Sequence, residues 1–514
     1  MNSVKKVWSK FQEAVFAFVR EGKGSAVIEA VAGSGKTTTL VEAVKHMVGD
    51  VAVMAYNKKM GDELKVRLSG VPYANAGTCH SFGLKAFTKS GIRPQVDGCK
   101  VGNIVGNLLK KEEEFMFAFI CKLVGLAKDA GIGFLCNIDD HSQWQRLIDH
   151  HDLSIENGDV DYGKAIDLAI TTLKKSNLDK KTIDFADMIY MPLFFGLKVD
   201  QYDWVLVDEA QDTNATRRAL AAAMLKPNGR LVAVGDPRQA IFGFTGADNN
   251  SLDLIRSAFN AITLPLSVCY RCGKDIIKHA QNWNPTILAH DSNGAGKVTQ
   301  TRFEDFIKSV ETLNLSGNDG IICRKNAPLM DLAFSLIRKG IACRVEGKDI
   351  GKGLINLAQK WKVQDLNKLS ERLVAFRNRE VSKLLEKGQE TKAEQIEDKV
   401  DTLLVLVERC KEQGKHNVRD LVALINSMFS DTGDKFTNKN IVTLSSVHKS
   451  KGLEWNRVFL LGREQFMPSK YAKLQWQKDQ ERNLIYVAVT RAMTELVEVS
   501  EIPEASDRRK AKGN

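Results

Sequence analysis

The amino-acid sequence predicts an α/β protein with two parallel-sheet domains, each interrupted by a mainly helical insertion. Three observations predict this fold class. Short β-branched runs alternate with helical patterns in both halves of the chain, a long charged helical stretch breaks each alternating region, and a glycine-rich loop directly follows the first run. At 514 residues the chain is long enough for three or four domains with cores of their own.

The first domain is predicted from residues 1–90 and 181–262. Its helix after the glycine-rich loop begins within residues 35–44, and residues 91–180 form the helical insertion because their pattern becomes charged and loop-interrupted. Its predicted strands are residues 26–30, 51–56, 204–207 and 230–234.

The second domain is predicted from residues 263–352 and 436–502. Its insertion, residues 353–435, is rich in Leu, Glu, Lys and Arg at helical spacing, which predicts a reduced, charged helical hairpin or small bundle with Gly388 in a turn. The polar, basic tail at 503–514 is expected to be disordered. The predicted strands are residues 320–323, 341–345, 441–444, 457–461 and 495–499.

Composition limits the class of protein. A net charge of +11 indicates either a polyanionic partner or simple solubility. No stretch is apolar enough to cross a bilayer, and the N-terminus lacks a signal peptide's apolar region, so we expect a soluble, intracellular protein without a membrane partner. Nine scattered cysteines suit a reducing compartment, and the lone Cys269–Cys272 pair predicts no structural metal cluster.

A phosphate-binding loop is predicted at residues 30–37, AVAGSGKT, because it follows a strand and opens a helix. Backbone N–H groups at a helix N-terminus bind phosphate, Lys36 would reach the β- and γ-phosphates, and Thr37 would hold Mg²⁺. Ala30 replaces the first glycine of the general pattern, a modest departure because the other residues supply the turn and the charge. The residues predicted to bind ATP here are Ala32, Gly33, Ser34, Gly35, Lys36, Thr37 and Thr38.

An acidic pair ends the predicted strand at residues 204–207. Asp208 at a strand end suits a Mg²⁺ ligand, directly or through water, and Glu209 suits orienting or deprotonating the attacking water. The structural alternative for two acids at this place is a helix cap. The preceding phosphate loop favours the catalytic interpretation.

Further motifs follow one another in a single order. Together they resemble those of superfamily 1 helicases of the UvrD/Rep type, over nearly the whole chain apart from the two insertions. The resemblance implies two RecA-like P-loop NTPase domains with ATP and Mg²⁺ as cofactors. The motif segments are residues 11–12, 55–58, 77–82, 184–187, 235–247, 269–271, 442–454 and 483–491.

The resemblance also assigns roles around ATP. Gln239 would sense the γ-phosphate, while Arg271 and Arg491 from the second domain would clamp it and neutralise transition-state charge, an effect of about 10³ to 10⁵ in rate. Each arginine taken alone would be assigned to a surface ion pair. The remaining implied contacts are Gln12 to the adenine edge, Tyr270 to its ring and Glu454 to the ribose.

For nucleic acid, the resemblance implies a single-strand channel in which bases stack on aromatic rings, at about 1–3 kcal/mol per base. A core position is the open alternative for each Phe and His. Phe244 is the strongest stacking candidate, and Thr245 stands where the family usually has arginine. The residues implied to bind DNA are Tyr56, Asn57, His80, Phe82, Phe242, Phe244 and His448.

The predicted function is an ATP-dependent DNA helicase or single-stranded DNA translocase, with 3′–5′ movement implied by the resemblance. The implied partners are single-stranded DNA, single–double-strand junctions, and replication, repair or recombination proteins, in a nucleoid-associated cytoplasmic setting of a bacterium or virus. Open alternatives are a translocase that strips bound proteins with little unwinding, an RNA-directed motor and a non-motor ATPase switch. The two arginines disfavour the switch, whereas stacking does not reveal which sugar is read.

Overall fold

The structure is a computed structural model that describes residues 7–151, 153–155, 161–243, 246, 248, 250–386, 390–429 and 441–503. The chain divides into two compact units, Met1–Val268 and Cys269–Asn514. Within the described residues, no helix is both long and apolar enough to span a membrane.

The first unit is built on a six-stranded sheet with the order β3-β2-β6-β7-β1-β8, and every pairing is parallel. The carboxyl ends of its strands therefore share one edge, where ligands of open α/β sheets bind. β4 and β5 form a separate pair. The strands are β1 (Ala26–Ala30), β2 (Val51–Ala55), β3 (Ala74–Thr78), β4 (Gln95–Val96), β5 (Thr182–Ile183), β6 (Tyr202–Val207), β7 (Leu225–Gly235) and β8 (Ile262–Leu266).

The predicted strands of this unit are all present, but the two edge strands β3 and β8 were not predicted. β3 has the small and polar sequence ANAGT, and β8 carries Pro265 on a largely exposed strand, so neither shows a buried apolar pattern. β8 pairs with β1 from Ala26↔Ile262 to Ala30↔Leu266. The predicted domain boundary at 262/263 therefore falls inside a strand, and the structure places the division after Val268.

The helical insertion of the first unit has a core that extends beyond residues 91–180. Trp144 packs in one cluster with Phe87 of α4 and Tyr190 of α9. A buried ion pair reinforces this junction, since Lys128 Nζ lies 2.6 Å from Asp187 Oδ1. The helices are α1 (Lys10–Glu21), α2 (Lys36–Val44), α3 (Lys58–Arg67), α4 (Cys79–Lys89), α5 (Lys100–Leu108), α6 (Phe117–Ala130), α7 (His141–His150), α8 (Tyr162–Leu178), α9 (Asp187–Phe194), α10 (Ala215–Ala223) and α11 (Ser251–Ala258).

The second unit has a parallel six-stranded sheet of its own, with the order β11-β16-β15-β12-β14-β13. All of its predicted strands are present. Edge strand β11, with the mostly polar sequence KVTQTR, was not predicted. Together the two parallel sheets are those of two RecA-like domains. The remaining strands of the chain are β9 (Val268–Cys269), β10 (Leu288–Ala289), β11 (Lys297–Arg302), β12 (Asp319–Cys323), β13 (Cys343–Val345), β14 (Val442–Ser446), β15 (Trp455–Leu461) and β16 (Ala492–Ser500).

The insertion of the second unit shares its hydrophobic core with the sheet. Leu403 and Val407 of α17 are buried in the same cluster as Leu332 of α14 and Ile321 of β12. Gly388 and the tail beyond Pro503 lie outside the described residues. The helices are α12 (Lys274–Ala280), α13 (Phe303–Ser309), α14 (Asn326–Arg338), α15 (Lys348–Gln359), α16 (Leu366–Glu386), α17 (Glu390–Glu412), α18 (Val418–Phe429), α19 (Arg463–Phe466) and α20 (Gln475–Val489).

Candidate active site

The phosphate-binding loop lies between β1 and α2. Gly33 and Gly35 have φ values of 66° and 77°, a left-handed conformation that favours glycine and turns the chain into the helix. Ser34 is buried, and its Oγ has no hydrogen-bond partner among the described residues. A buried unpaired hydroxyl beside helix N–H groups fits a bound phosphate. The predicted residues Ala32, Thr37 and Thr38 occupy the same turn and the start of α2.

Lys36 faces an acid cluster, which we define as Asp208, Glu209 and Asp236. Its Nζ lies 3.0 Å from Glu209 Oε1. Burial by itself would lower the pKa of Lys36, but the three carboxylates outweigh burial and raise it. The lysine is therefore a fixed positive charge at the carboxyl edge of the sheet.

Asp208 and Thr37 supply oxygen ligands suited to Mg²⁺. Thr37 Oγ1 donates to Asp208 Oδ2 at 3.4 Å. Burial, with a further contribution from Glu209, raises the pKa of the Asp208 carboxyl to about 7. Adding a divalent cation would offset this concentration of negative charge, so these residues fit Mg²⁺ held together with phosphate oxygens. The described ranges contain no group of three or more His, Cys, Asp or Glu side chains that could hold a metal ion by themselves, so Mg²⁺ here would also need the phosphate oxygens.

Asp236 belongs to the site although it was not predicted as a site residue. It is fully buried at the end of β7, and burial raises the pKa of its carboxyl to about 6 against the opposing charge of Lys36. The predicted γ-phosphate sensor, Gln239, donates from Nε2 to Asp236 Oδ2 at 2.8 Å. The available sequence signal was an acid following an apolar strand, the pattern that identified Asp208.

Gln211 connects the members of the acid cluster and was also missed. Its Oε1 accepts from the Asp236 backbone N–H at 3.0 Å, and its Nε2 donates to Glu209 Oε2. Glu209 itself has a left-handed backbone with φ 51°, and its N–H donates to Asp208 Oδ1 at 2.9 Å. The position of the predicted water-activating carboxylate is thus set by its neighbours on both sides.

Gln12 of α1 is tied to the phosphate loop. It is buried, and its Nε2 donates to Thr39 Oγ1 at 3.0 Å, while Thr39 Oγ1 donates to the Gly35 carbonyl at 3.0 Å. Ser9 and Gln12 also form a capping box, with Ser9 N–H donating to Gln12 Oε1 at 3.1 Å. The structure therefore brings Gln12 to α2, and its contact with adenine remains a prediction.

The aromatic pair Tyr56 and Phe242 lies beyond β2 and β7. The two rings are parallel within 6°, with centroids 6.3 Å apart. The Arg217 guanidinium carbon lies 5.2 Å from the Tyr56 centroid. Burial, followed by the charge of Arg217, lowers the pKa of His80 to about 4, so His80 is a neutral hydrogen-bonding group. Asn57 is exposed, and its Oδ1 caps α3.

The structure supports a core position for Phe82 rather than base stacking. Its side chain is only 4% exposed and packs edge-on against Tyr202. Phe244 and Thr245 lie outside the described residues. An exposed ring that was not predicted is Phe185, 63% exposed in the segment that precedes α9.

In the second unit, Arg271 and Glu454 form an ion pair, with 2.5 Å between Arg271 Nε and Glu454 Oε2. Both residues are predicted from the sequence to contact ATP, and the structure places their side chains in contact with each other. Tyr270, the predicted adenine-stacking residue, is 37% exposed, and its ring centroid lies 4.8 Å from that of His290.

Arg491 is buried and held by backbone carbonyls of its own unit. Its Nε donates to Val487 O at 2.9 Å and its Nη1 to Leu453 O at 3.0 Å. Burial, followed by the nearby charge of Arg271, lowers the pKa of Arg491 to about 10. His448 follows β14, where burial lowers its pKa to about 3. Their contacts with ATP and DNA stay predictions.

A strand, a glycine loop and a helix that present a lysine against strand-end carboxylates define the P-loop class of nucleotide-hydrolysing proteins. Comparison with known families is more specific. Residues 9–260 match the UvrD/REP helicase N-terminal domain, and residues 442–498 match the UvrD-like helicase C-terminal domain. The chain belongs to the UvrD/Rep helicase family.

Individual relatives are similar at low identity. A probable DNA helicase II homolog of Mycoplasma pneumoniae is 23% identical, with 93% of this chain and 82% of the relative covered. The ATP-dependent DNA helicase PcrA of Leuconostoc citreum is 22% identical, with 93% and 80% covered. The ATP-dependent DNA helicase Rep of Buchnera aphidicola subsp. Acyrthosiphon pisum is 24% identical over 50% of this chain and 42% of the relative.

Proposed function

We propose that this protein is an ATP-dependent DNA helicase that moves along single-stranded DNA. One observation carries the proposal: Lys36 and the acid cluster meet at the sheet edge from which the Tyr56–Phe242 pair also extends. Membership of the UvrD/Rep family, and the printed names of relatives called ATP-dependent DNA helicases, support the activity and the use of ATP.

The chemistry assigned to the first unit is water activation beside a fixed cation. Lys36 binds the β- and γ-phosphate oxygens, and Glu209 accepts a proton from the attacking water or orients it. Gln239 contacts the γ-phosphate, and its hydrogen bond to Asp236 links that contact to the acid cluster. Thr37 and Asp208 would hold Mg²⁺, which supplies charge neutralisation at the phosphates when it is bound.

The second unit contributes the arginines in this proposal. Arg271 and Arg491 stabilise charge on the transferring phosphoryl group, Tyr270 stacks on adenine and Glu454 accepts from the ribose. For Arg271, binding requires its guanidinium to exchange Glu454 for phosphate. For Arg491, it requires exchange of backbone carbonyls for phosphate, a stronger acceptor.

DNA contacts are proposed at Tyr56, Asn57, His80 and Phe242 in the first unit and at His448 in the second. Base stacking on an aromatic ring tolerates any sequence, as a motor that travels along DNA requires. We further propose 3′–5′ movement, single–double-strand junctions as substrates, and cytoplasmic work in replication, repair or recombination, on the basis of the family.

Steady-state ATPase activity tests this function. Turnover is measured with no polymer, single-stranded DNA, duplex DNA and single-stranded RNA, with Lys36→Ala as the blank. Strong stimulation by single-stranded DNA is expected, and Lys36→Ala is expected to reduce turnover by at least about 10²-fold while nucleotide-free binding to single-stranded DNA persists. Stimulation by RNA alone would overturn the assigned substrate. The absence of stimulation by any polymer would favour an ATPase switch.

A further inference from the structure

Arg217 of α10 contacts both the loop that carries Glu209 and the aromatic pair. Its Nη1 donates to the Asp212 carbonyl oxygen at 3.2 Å, and its guanidinium carbon lies 5.2 Å from the Tyr56 centroid. Both contacts lie within the first unit.

On the side of the ATP site, only one turn separates Glu209 from the Asp212 carbonyl that Arg217 contacts. Asp212 ends a single 3₁₀ turn, Ala210–Asp212, that begins directly after Glu209. Gln211 Nε2 bridges the two acids, 2.5 Å from Glu209 Oε2 and 3.4 Å from Asp212 Oδ2. Because Glu209 has a constrained left-handed backbone, a change in its contacts must be accommodated by this turn.

On the side of the proposed DNA site, Arg217 acts directly on Tyr56. Burial, together with the Asp212 carboxylate, raises the pKa of Tyr56, and the charge of Arg217 opposes both effects. Arg217 Nε is buried and has no hydrogen-bond partner in the described part of the chain.

We propose that Arg217 is a positioning residue that couples the nucleotide state at Glu209 to the grip of Tyr56 and Phe242 on the DNA strand. This inference rests on the proposed function. Loss of the γ-phosphate changes the contacts of Glu209, the turn at Asp212 shifts, and Arg217 transmits that shift to the Tyr56 ring.

The neighbouring Arg218 provides a matched control. It lies on the same helix and also donates to a loop carbonyl, with 3.4 Å between its Nη1 and Thr213 O, while its carboxylate partner is Asp248 at 2.5 Å. A role limited to anchoring α10 would be shared by both arginines. A coupling role belongs to Arg217.

The test measures the affinity of a fluorescein-labelled oligo(dT) by anisotropy, with a non-hydrolysable ATP analogue and with ADP. The wild type and Arg218→Gln are expected to show affinities that differ about fivefold or more between the two nucleotides. Arg217→Gln is expected to reduce the ratio of the two oligo(dT) affinities to within about twofold. The affinity of this variant for the ATP analogue itself is expected to stay near that of the wild type. An unchanged ratio in Arg217→Gln would overturn the inference.

Arg217→Lys guards against an effect of misfolding. Lysine retains the charge but lacks the planar fork that contacts Asp212 and Tyr56 together, so a thermally stable Arg217→Lys protein is also expected to lose the ratio. A retained ratio in this variant would count against the inference. If single-stranded DNA fails to stimulate the wild-type ATPase, the proposed function fails. If stimulation is normal and the ratio survives in both variants, only the coupling role fails.

Discussion

At the residue scale, the ATP site concentrates negative charge around a single lysine. The Asp208 and Asp236 carboxyls are buried, and burial raises the pKa values of both. Buried carboxylates destabilise a ligand-free protein unless cations offset them. This arrangement favours binding of a cation and polarises the site before substrate arrives.

Asp208→Asn tests this charge through stability. Because burial raises the pKa of Asp208 from 3.8 to about 7, the folded protein binds this proton more tightly than the unfolded chain does. The protonated Asp208 carboxyl therefore stabilises the folded state. This contribution to the free energy of unfolding is complete below pH 4 and is lost as pH rises through 7. In buffer free of Mg²⁺ and nucleotide, we expect the Tm advantage of Asp208→Asn over wild type to grow from pH 5 to pH 8, by at least about 2–4 °C.

The control for this experiment is Asp62→Asn, because Asp62 is an exposed carboxylate paired with Lys65 on α3. Its Tm difference from wild type should stay constant across the same pH range. A constant difference for Asp208→Asn as well would show that the Asp208 carboxyl has an ordinary pKa.

At the element scale, the second insertion is attached to α14 by a helix cap that a distant residue of the same chain supplies. Lys325 precedes α14 without capping it, and Asp398 of α17 takes that role. Asp398 Oδ1 accepts from the Asn326 N–H at 2.9 Å and from the Ala327 N–H at 3.3 Å. The insertion is therefore part of the second unit's core structure.

Removing this cap should destabilise the second unit. Asp398→Ala leaves two backbone donors of α14 without their acceptor, and we expect a loss of about 1–3 kcal/mol in the free energy of unfolding. Urea unfolding followed by circular dichroism measures it. Glu408→Ala, at an exposed position of α17 paired with Lys411, should change stability by less than about 0.5 kcal/mol. Equal midpoints for the two variants would contradict the capping role.

At the scale of the whole molecule, charge and stacking are expected to contribute separately to DNA binding. The net charge of +11 supplies a salt-dependent attraction to phosphates. Stacking on Phe242 involves the base and releases no counterions. The two contributions therefore differ in their response to salt.

Phe242→Ala should separate these contributions. Its affinity for oligo(dT) is expected to fall by about 1–3 kcal/mol, while the slope of log affinity against log salt stays that of the wild type. Anisotropy titrations between 50 and 200 mM salt measure both. A changed slope in Phe242→Ala would show that the substitution disturbs phosphate contacts rather than a stacked base.

The sequence by itself determined the central strands, the phosphate loop and the acidic pair, because buried apolar runs and local spacing encode them. Tertiary structure decided the edge strands β3, β8 and β11, which have a neighbour on one side only and need less apolar sequence. It also decided the contacts of Asp236 with Gln239 and of Arg217 with Tyr56, and the burial of Phe82. These depend on which strand ends and helices become neighbours, and residues far apart in sequence meet only after the sheet has formed.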